Sequence, residues 1–162
     1  IDPALRCTGF AVTVYSRNRF EVVDCGVIRI PQRAPISECL RNLQGGIREL
    51  ITTYHPHTAA LESGFFSRNA KTAMLLGHAR GIVIANFAEA GIPIYEYAPR
   101  HVKQTVCGYG QADKKQVADV LTRTTNIPGD ELALDATDAL GVAWCHGHAL
   151  CSGTQFNIPE PL

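Results

Sequence analysis

The sequence lacks the features of a membrane protein, a fibrous protein or a disulfide-stapled scaffold. No uninterrupted apolar stretch approaches the roughly 20 residues that a membrane span needs. The 14 Gly and 9 Pro are scattered, which excludes collagen-like composition and long linkers. The six cysteines form no CxxC pair, and the first residues offer no basic segment followed by an apolar run. We therefore expect reduced thiols, no secretory signal and a cytoplasmic location.

The chain is long enough and apolar enough to form one globular domain with a sizeable core. It has 162 residues, of which 46% are hydrophobic and 19% charged. We expect a single domain over residues 1–162. Because Ile1-Asp2-Pro3 resembles the end of a strand whose beginning is absent, we also expect a few residues of that first strand to precede Ile1.

The charges are balanced in number but not in position. The formal net charge is zero, which by itself argues against a nucleic-acid partner. All 15 Lys and Arg lie between Arg6 and Arg123, whereas only ten acids occur up to Asp119. The other five acids are Asp130, Glu131, Asp135, Asp138 and Glu160. This distribution is typical of metal-dependent phosphate chemistry and also of an ordinary acidic C-terminal region, and charge does not separate the two.

The hydrophobic pattern predicts the α/β class. Residues 8–15 and 20–30 are rich in β-branched and aromatic residues around a polar turn, which predicts a hairpin, and the strand ending at Asp2 would extend it to three antiparallel strands. Apolar residues at helical spacing predict a helix over 36–51. The later elements are strands over 58–62 and 92–97 and helices over about 69–90, 113–123 and 131–148, with a loop containing Gly108 and Gly110 after Pro99. Together they predict a mixed five-stranded sheet flanked by helices.

Carboxylates embedded in apolar sequence are the most informative feature. Asp135 and Asp138 interrupt an otherwise apolar helix and, three residues apart, share one face. Glu62 ends an apolar strand, and Asp2 begins a tight turn led by Pro3. Burying like charges side by side raises a pKa sharply unless a cation compensates.

Each of these acids has an ordinary explanation when it is taken alone. Asp2 suits a turn, Glu62 suits a buried pair with an arginine, and Asp135 with Asp138 suits a solvated helix stripe. The topology favours a common site, because strands ending at Asp2 and Glu62 would bring both acids to one sheet edge and the last helix would cross it. Four converging carboxylates predict a Mg²⁺ or Mn²⁺ site, since hard ions take oxygen ligands.

Six groups of short motifs follow one another along nearly the whole chain. They are IDPALR (1–6) with TGF (8–10), LE (61–62) with FFSRNA (65–70), LGHARG (76–81), YAPR (97–100) with VKQ (102–104), GYGQADK (108–114) with QV (116–117), and DATDAL (135–140). In this order and spacing they resemble the RuvC family of crossover junction endodeoxyribonucleases, which have an RNase H-like fold. The chain departs from the family at Ala4, which stands where the family commonly has a glycine, and in the expected absence of the start of the first strand before Ile1.

The resemblance implies an enzyme that resolves four-way (Holliday) junctions in DNA recombination and repair by paired symmetric nicks. It implies that Asp2, Glu62, Asp135 and Asp138 are catalytic and hold two Mg²⁺ ions, with Mn²⁺ as a substitute. It further implies hydrolysis of a DNA phosphodiester that leaves 5′-phosphate ends.

The resemblance also assigns DNA-binding residues. Lys103 and Lys114 match basic positions near the site and would contact phosphate or stabilise transition-state charge, although solvated lysines are the ordinary alternative. Phe65 matches an aromatic residue that stacks on an unpaired base at the junction centre, whereas Phe66 suits a core position. The wider phosphate track would comprise Arg68, Lys71, Arg100, Lys115 and Arg123.

The resemblance implies assembly as well. Gly77 and Gly81 match the dimerisation helix of the family, and a two-fold homodimer would set two active sites against two strands of like polarity. Packing of that helix within one subunit is the alternative. A RuvA–RuvB partner is implied by the resemblance only.

Two other functions and one other site stay open. The functions are a catalytically silent junction-binding protein and an RNase H-like nuclease with another nucleic-acid substrate. Retention of all four acids argues against the silent protein. The site is a zinc centre formed by Cys145, His146, His148 and Cys151, but their spacing is not a common zinc pattern and favours an ordinary helix end.

Overall fold

The structure is a computed structural model that describes residues 1–16, 19–64, 69–125, 127, 133–151 and 158–162. The described elements follow in the order β1 (Cys7–Ser16), β2 (Arg19–Arg29), α1 (Ile36–Tyr54), β3 (Ala59–Glu62), α2 (Ala70–Glu89), β4 (Ile94–Tyr97), α3 (Pro99–Cys107), α4 (Lys114–Thr125) and α5 (Leu134–Cys151). None of the helices in these ranges has the length and hydropathy required to span a membrane.

The strands form two separate pairs. β1 and β2 pair antiparallel from Cys7↔Arg29 to Ser16↔Arg19, which confirms the predicted hairpin. β3 and β4 pair in parallel from Ala59↔Ile94 to Glu62↔Tyr97, so that Glu62 lies at the carboxyl end of its strand. The predicted alternation of helices and strands and the α/β class are confirmed.

Ile1 and Asp2 connect the two pairs through backbone hydrogen bonds. The Asp2 N–H donates to the Gly9 carbonyl (3.0 Å), and the Gly9 N–H donates back (3.1 Å). On the other side the Ile1 amino group donates to the Ala60 carbonyl (2.7 Å), and the Glu62 N–H donates to the Ile1 carbonyl (3.3 Å). Among the described residues the expected third antiparallel strand is a single bridge between Asp2 and Gly9, and Pro3 has no N–H to continue the ladder.

Two apolar clusters lie on either side of the strands. The first packs α1 and α2 against β3 through Leu43, Ile47, Leu61, Val83 and Phe87. The second packs α3, α4 and α5 together through residues that include Val102, Val117, Leu121, Leu140 and Val142. Most of α5 is buried, which explains why its sequence is almost uniformly apolar.

Helix α3 replaces the loop that we expected after Pro99. Ala98 is extended and Pro99 occupies the first turn, a position that proline suits because its missing N–H has no partner there anyway. Val102 and Val106, four residues apart, are buried, and Gly108 ends the helix with a φ of 81°. We had interpreted Pro99 only as the end of a strand. The correction matters because α3 carries Arg100 and Lys103.

Candidate active site

Asp2 and Glu62 line one cleft. Its volume is about 260 Å³, and its walls are Asp2, Pro3, Glu62, Ser63, Gly64 and the α2 residues Ala73, Leu76, Gly77 and Arg80. The backbone explains the arrangement, since Glu62 at the end of β3 donates its N–H to the residue before Asp2. The prediction that the two acids emerge side by side at one sheet edge agrees with this geometry.

Helix α5 reaches the same region because Gly9 lets it approach β1 closely. A Cβ atom on Gly9 would lie 1.8 Å from the Asp135 carbonyl oxygen, so no residue but glycine fits without moving the helix. Gly9 belongs to the motif TGF (8–10), but the motif alone predicts no role for it. A glycine inside a β-branched strand is itself a signal of close backbone approach.

The carboxylates influence one another electrostatically. Burial raises the pKa of Asp2, and repulsion from Asp138 and, to a smaller extent, from Asp135 adds to the effect. Burial together with the charges of Asp2 and Asp138 raises the pKa of Glu62 to about 7. The positive groups near Asp2 and Glu62 therefore do not fully neutralise the negative charge of these carboxylates.

Lys114 brings a positive charge close to these acids. Its Nζ donates to Asp138 Oδ2 at 2.6 Å, and this hydrogen bond, with the nearby Asp2 and Glu62, raises the pKa of the lysine. The lysine stands at the start of α4, where Asp113 accepts a hydrogen bond from the Gln116 N–H (2.8 Å). This cap fixes the helix end from which the ammonium group extends to α5.

The donor set fits a hard divalent cation. All four predicted ligands are carboxylates, and two of them have pKa values that stay raised because burial and the neighbouring carboxylates outweigh Lys114 and the terminal amino group. Among the described residues, however, no three or more His, Cys, Asp or Glu side chains are arranged so that they could hold a metal ion as they stand. Lys114 instead pairs with Asp138. The assignment of these acids as metal ligands therefore stays a prediction.

The other predicted site residues are spread over three helices. Arg100 and Lys103 lie on α3, Lys114, Lys115 and Arg123 on α4, and Lys71 in the first turn of α2. Gly77 lines the cleft, and a Cβ on Gly77 or Gly81 would meet no atom of the described residues within 4 Å, so packing among those residues does not require either glycine. Phe65, Phe66 and Arg68 lie outside the described residues.

Arg80 is a cleft residue that the sequence did not single out. Its Nη1 donates to the Glu62 carbonyl oxygen (2.9 Å), and its guanidinium forms an ion pair with Glu96 of β4. The arginine therefore holds the end of β3 through its backbone rather than neutralising the Glu62 carboxylate. Its place within the motif at 76–81 was a signal, but no charge partner was evident from the sequence.

The four Cys and His residues near the end of α5 do not form a common site. Cys145 Sγ donates to Thr105 Oγ1 (3.5 Å), and the His148 ring packs against Trp144 at 4.7 Å between centroids. His146 bridges the Tyr97 hydroxyl (2.8 Å) and Thr58 Oγ1 (2.9 Å). These separate partners agree with the interpretation of an ordinary helix.

Comparison with known proteins identifies close relatives. Residues 1–146 match the family described as "Crossover junction endodeoxyribonuclease RuvC". The protein of that name from Alkaliphilus oremlandii is 41% identical over 148 residues, which cover 91% of this chain and 90% of the relative. The one from a Roseiflexus species is 42% identical over 149 residues, covering 92% and 89%.

Solved structures agree with the sequence relatives. "T. thermophilus RuvC in complex with Holliday junction substrate" matches with a TM-score of 0.87 and 28% identity, covering 100% of this chain and 96% of that one. A yeast mitochondrial Holliday junction resolvase matches with a TM-score of 0.65 and 11% identity, covering 97% and 82%, which shows a shared fold only. The resemblance carried by the six groups of motifs is confirmed, and the chain belongs to the RuvC family of crossover junction endodeoxyribonucleases.

Proposed function

We propose that this chain is a structure-specific endonuclease that resolves four-way DNA junctions by paired symmetric nicks. The observation that carries the proposal is the cleft lined by Asp2 and Glu62 at the end of β3, with the charge of Asp138 near enough to raise the pKa of both, in a chain of the RuvC family. A relative of 28% identity was solved with a Holliday junction substrate, which supports the choice of a branched DNA substrate.

The proposed cofactor is Mg²⁺, two ions per site, with Mn²⁺ as a substitute. Asp2, Glu62, Asp135 and Asp138 would hold them, and four charges of −1 balance two of +2. When bound, the ions lower the pKa of the attacking water and stabilise the negative charge on the leaving 3′ oxygen, so that the products carry 5′ phosphates.

The chain's own cations bind and orient the DNA. Lys114 contacts a phosphate oxygen at the cut and stabilises the extra negative charge of the transition state, and Lys103 does the same from α3. Lys71, Arg100, Lys115 and Arg123 contact phosphates farther along the arms. Arg68 and the stacking residue Phe65 complete the proposed interface, and their assignment rests on the family motif alone.

The proposal includes finer points of fold and assembly. The hydrogen bonds of Ile1 and Asp2 to both strand pairs support one mixed five-stranded sheet of the RNase H type. The open surface around Gly77 and Gly81, with Met74 exposed on the same helix, supports a homodimer through α2. A RuvA–RuvB partner and a cytoplasmic location rest on family membership.

Two competing functions differ from the proposed one, the first in lacking catalysis and the second in its substrate. A silent junction-binding protein would gain nothing from negative charge in its DNA-binding cleft, so the coupled acids argue against it. An RNase H-like nuclease with another substrate would keep the same acids, and only the substrate separates it from our proposal.

A cleavage assay on three substrates tests the proposal. A synthetic four-way junction, a linear duplex of the same sequence and an RNA–DNA hybrid are incubated with the protein in Mg²⁺ and in EDTA. We expect paired symmetric nicks in the junction alone, and only with Mg²⁺. A junction that is bound but uncut would favour the silent protein, and a cut hybrid would favour the other nuclease.

A further inference from the structure

Tyr109 is an aromatic residue on the surface that is held in a fixed orientation. It lies in the loop between α3 and α4, residues 108–113, and 45% of its surface is exposed. Its hydroxyl donates to Gln116 Oε1 at 2.6 Å. The same amide oxygen accepts the Asp113 N–H (2.9 Å), and the Asp113 carboxylate accepts the Gln116 N–H (2.8 Å). The tyrosine is therefore attached to the capped first turn of α4.

The other end of the loop is held just as firmly by α3. The Gly108 N–H donates to the Gln104 carbonyl (2.9 Å), and the Gln104 side-chain amide donates to the Gly108 carbonyl. Gly110 packs so closely on Arg100 that a Cβ there would lie 2.6 Å from its Cγ. The loop therefore presents the Tyr109 ring to solvent without being free to move it.

Basic residues lie on both helices that the loop joins. Gln116, which holds the hydroxyl, is two residues from Lys114, whose ammonium group is bonded to Asp138. Arg100, Lys103 and Lys115 lie on the two helices that the loop joins. The single acid of the loop, Asp113, is used in the helix cap. A rigid aromatic ring among cations is the combination that binds a nucleic-acid strand, because the cations hold the phosphates and the ring packs on the bases or sugars.

We infer that Tyr109 is a DNA-contacting residue whose ring packs against the strand beside the cut, and that Gln116 and Asp113 position that ring. The inference rests on the proposed function and adds a contact to it, since none of the family motifs assigned a role to this side chain. The competing explanation is that Tyr109 only completes the cap of α4. The two differ in what happens to DNA binding when the ring is removed from a folded protein.

The test compares three substitutions at Tyr109 with a matched control. Tyr109→Ala removes the ring, Tyr109→Phe keeps the ring but frees it from Gln116, and Tyr109→Trp keeps a larger ring. The control is Tyr54→Ala. Tyr54 is the last residue of α1, and its hydroxyl also donates a hydrogen bond to a side chain, the Asp24 carboxylate on β2. Junction affinity is measured by fluorescence anisotropy in EDTA, and kcat and KM for nicking are measured in Mg²⁺. Thermal melts establish that each variant is folded.

We expect Tyr109→Ala to weaken junction affinity and to raise KM by about tenfold, with a much smaller change in kcat. The junction affinity of Tyr109→Phe should lie between those of Tyr109→Ala and the parent, and Tyr109→Trp should bind the junction like the parent. The Tyr54 variant should match the parent. Affinity and KM of a folded Tyr109→Ala within twofold of the parent would overturn the inference.

A spectroscopic measurement keeps the inference testable if Tyr109→Ala does not fold. The chain has one tryptophan, Trp144, which packs against Phe20 and His148. Adding junction to Tyr109→Trp should therefore quench fluorescence that the parent does not lose, and equal quenching in the two proteins would contradict a contact at residue 109. If the parent neither binds nor cuts the junction, the proposed function itself is overturned. If the parent binds and cuts the junction and the Tyr109 variant has the same affinity, only the inference about Tyr109 is overturned.

Discussion

Lys114 Nζ and Asp138 Oδ2 are 2.6 Å apart, and this contact joins α4 to the acidic cleft. The lysine side chain is 68% exposed whereas the Asp138 side chain is 23% exposed, so an exposed ammonium group is bonded to a carboxylate that is largely shielded from solvent. An exposed ion pair stabilises a fold by less than about 1 kcal/mol. The pair therefore has a larger part to play in the charge of the cleft than in folding.

Replacing this lysine should affect catalysis more than stability. We expect Lys114→Met to lower kcat by about 100-fold, because the transition state loses one stabilising positive charge, while the melting temperature changes little. Lys115→Met is the matched control: its neighbouring exposed side chain should affect KM and salt dependence but not kcat. Nicking rates under single-turnover conditions and a series of salt concentrations are measured for both variants. An equal fall in kcat for the two variants would contradict the role of Lys114.

Asp138 should be required for cutting but not for binding. Asp138→Asn keeps the size of the side chain and removes a ligand charge, so we expect nicking to fall at least about 1000-fold. Junction binding in EDTA should persist, because removing a negative charge from the cleft cannot weaken the attraction of phosphates. Gel-shift and nicking assays on one preparation provide the comparison. Loss of binding to the same extent as cutting would contradict the assigned role.

Gly9 should be needed for the placement of Asp135. In Gly9→Ala the new methyl group would overlap the Asp135 carbonyl, so we expect a loss of about 3 kcal/mol in the free energy of unfolding and weaker stabilisation by Mg²⁺. Gly45→Ala on α1 is the control, because its Cβ would meet no atom within 4 Å and alanine favours a helix by up to about 1 kcal/mol. Urea unfolding measures the stability of both variants. Equal losses would show that the position of α5 does not depend on its close packing against Gly9.

Burial of Glu62, together with repulsion from Asp2 and Asp138, predicts how the stability of the metal-free protein responds to pH. A folded-state pKa of about 7, raised from 4.5, means that the folded protein binds the proton more tightly than the unfolded chain does. Stability from this group is present below pH 4.5 and is lost as the pH rises towards 7. In EDTA, Glu62→Gln should therefore match the parent at pH 4.5 and be more stable at pH 8, by on the order of 1 kcal/mol after solvent screening.

Added Mg²⁺ should reverse the order of stability of the parent and Glu62→Gln. At pH 8 the ion compensates the carboxylates of the parent and should raise its melting temperature with concentration, whereas Glu62→Gln lacks one ligand and should gain less. Differential scanning fluorimetry with and without Mg²⁺ makes the measurement. A parent that gains nothing from Mg²⁺ at pH 8 would count against the proposed metal site.

The sequence was sufficient for features that depend on local pattern and insufficient for those that depend on contacts between distant segments. Alternation identified the hairpin, and the order of the strands, which followed from these local patterns, put Asp2 and Glu62 at one sheet edge, where they line one cleft. Helix α3 was missed because only two buried valines mark it and Pro99 suits a helix start as well as a strand end. The Lys114–Asp138 pair and the approach of Gly9 to Asp135 follow from how helices pack on the sheet, which no local pattern records.

His146 should keep α5 in register with the strands that carry the candidate site. Its buried ring joins Tyr97 at the end of β4 to Thr58, the residue before β3, and burial lowers its pKa from 6.5 to about 4. The folded protein thus resists protonation of this ring, so its contribution to stability is complete above pH 6.5 and falls by up to about 3 kcal/mol as the pH drops towards 4.

His146→Gln retains a polar side chain that does not titrate, so its stability should decline less than that of the parent between pH 7 and pH 4. His146→Leu should lose about 2 kcal/mol at pH 7, because the Tyr97 and Thr58 hydroxyls lose a buried partner. Urea unfolding across this pH range and an NMR titration of the imidazole test the argument. An imidazole pKa near 6.5 in the folded protein would show that the ring is not buried as the structure has it.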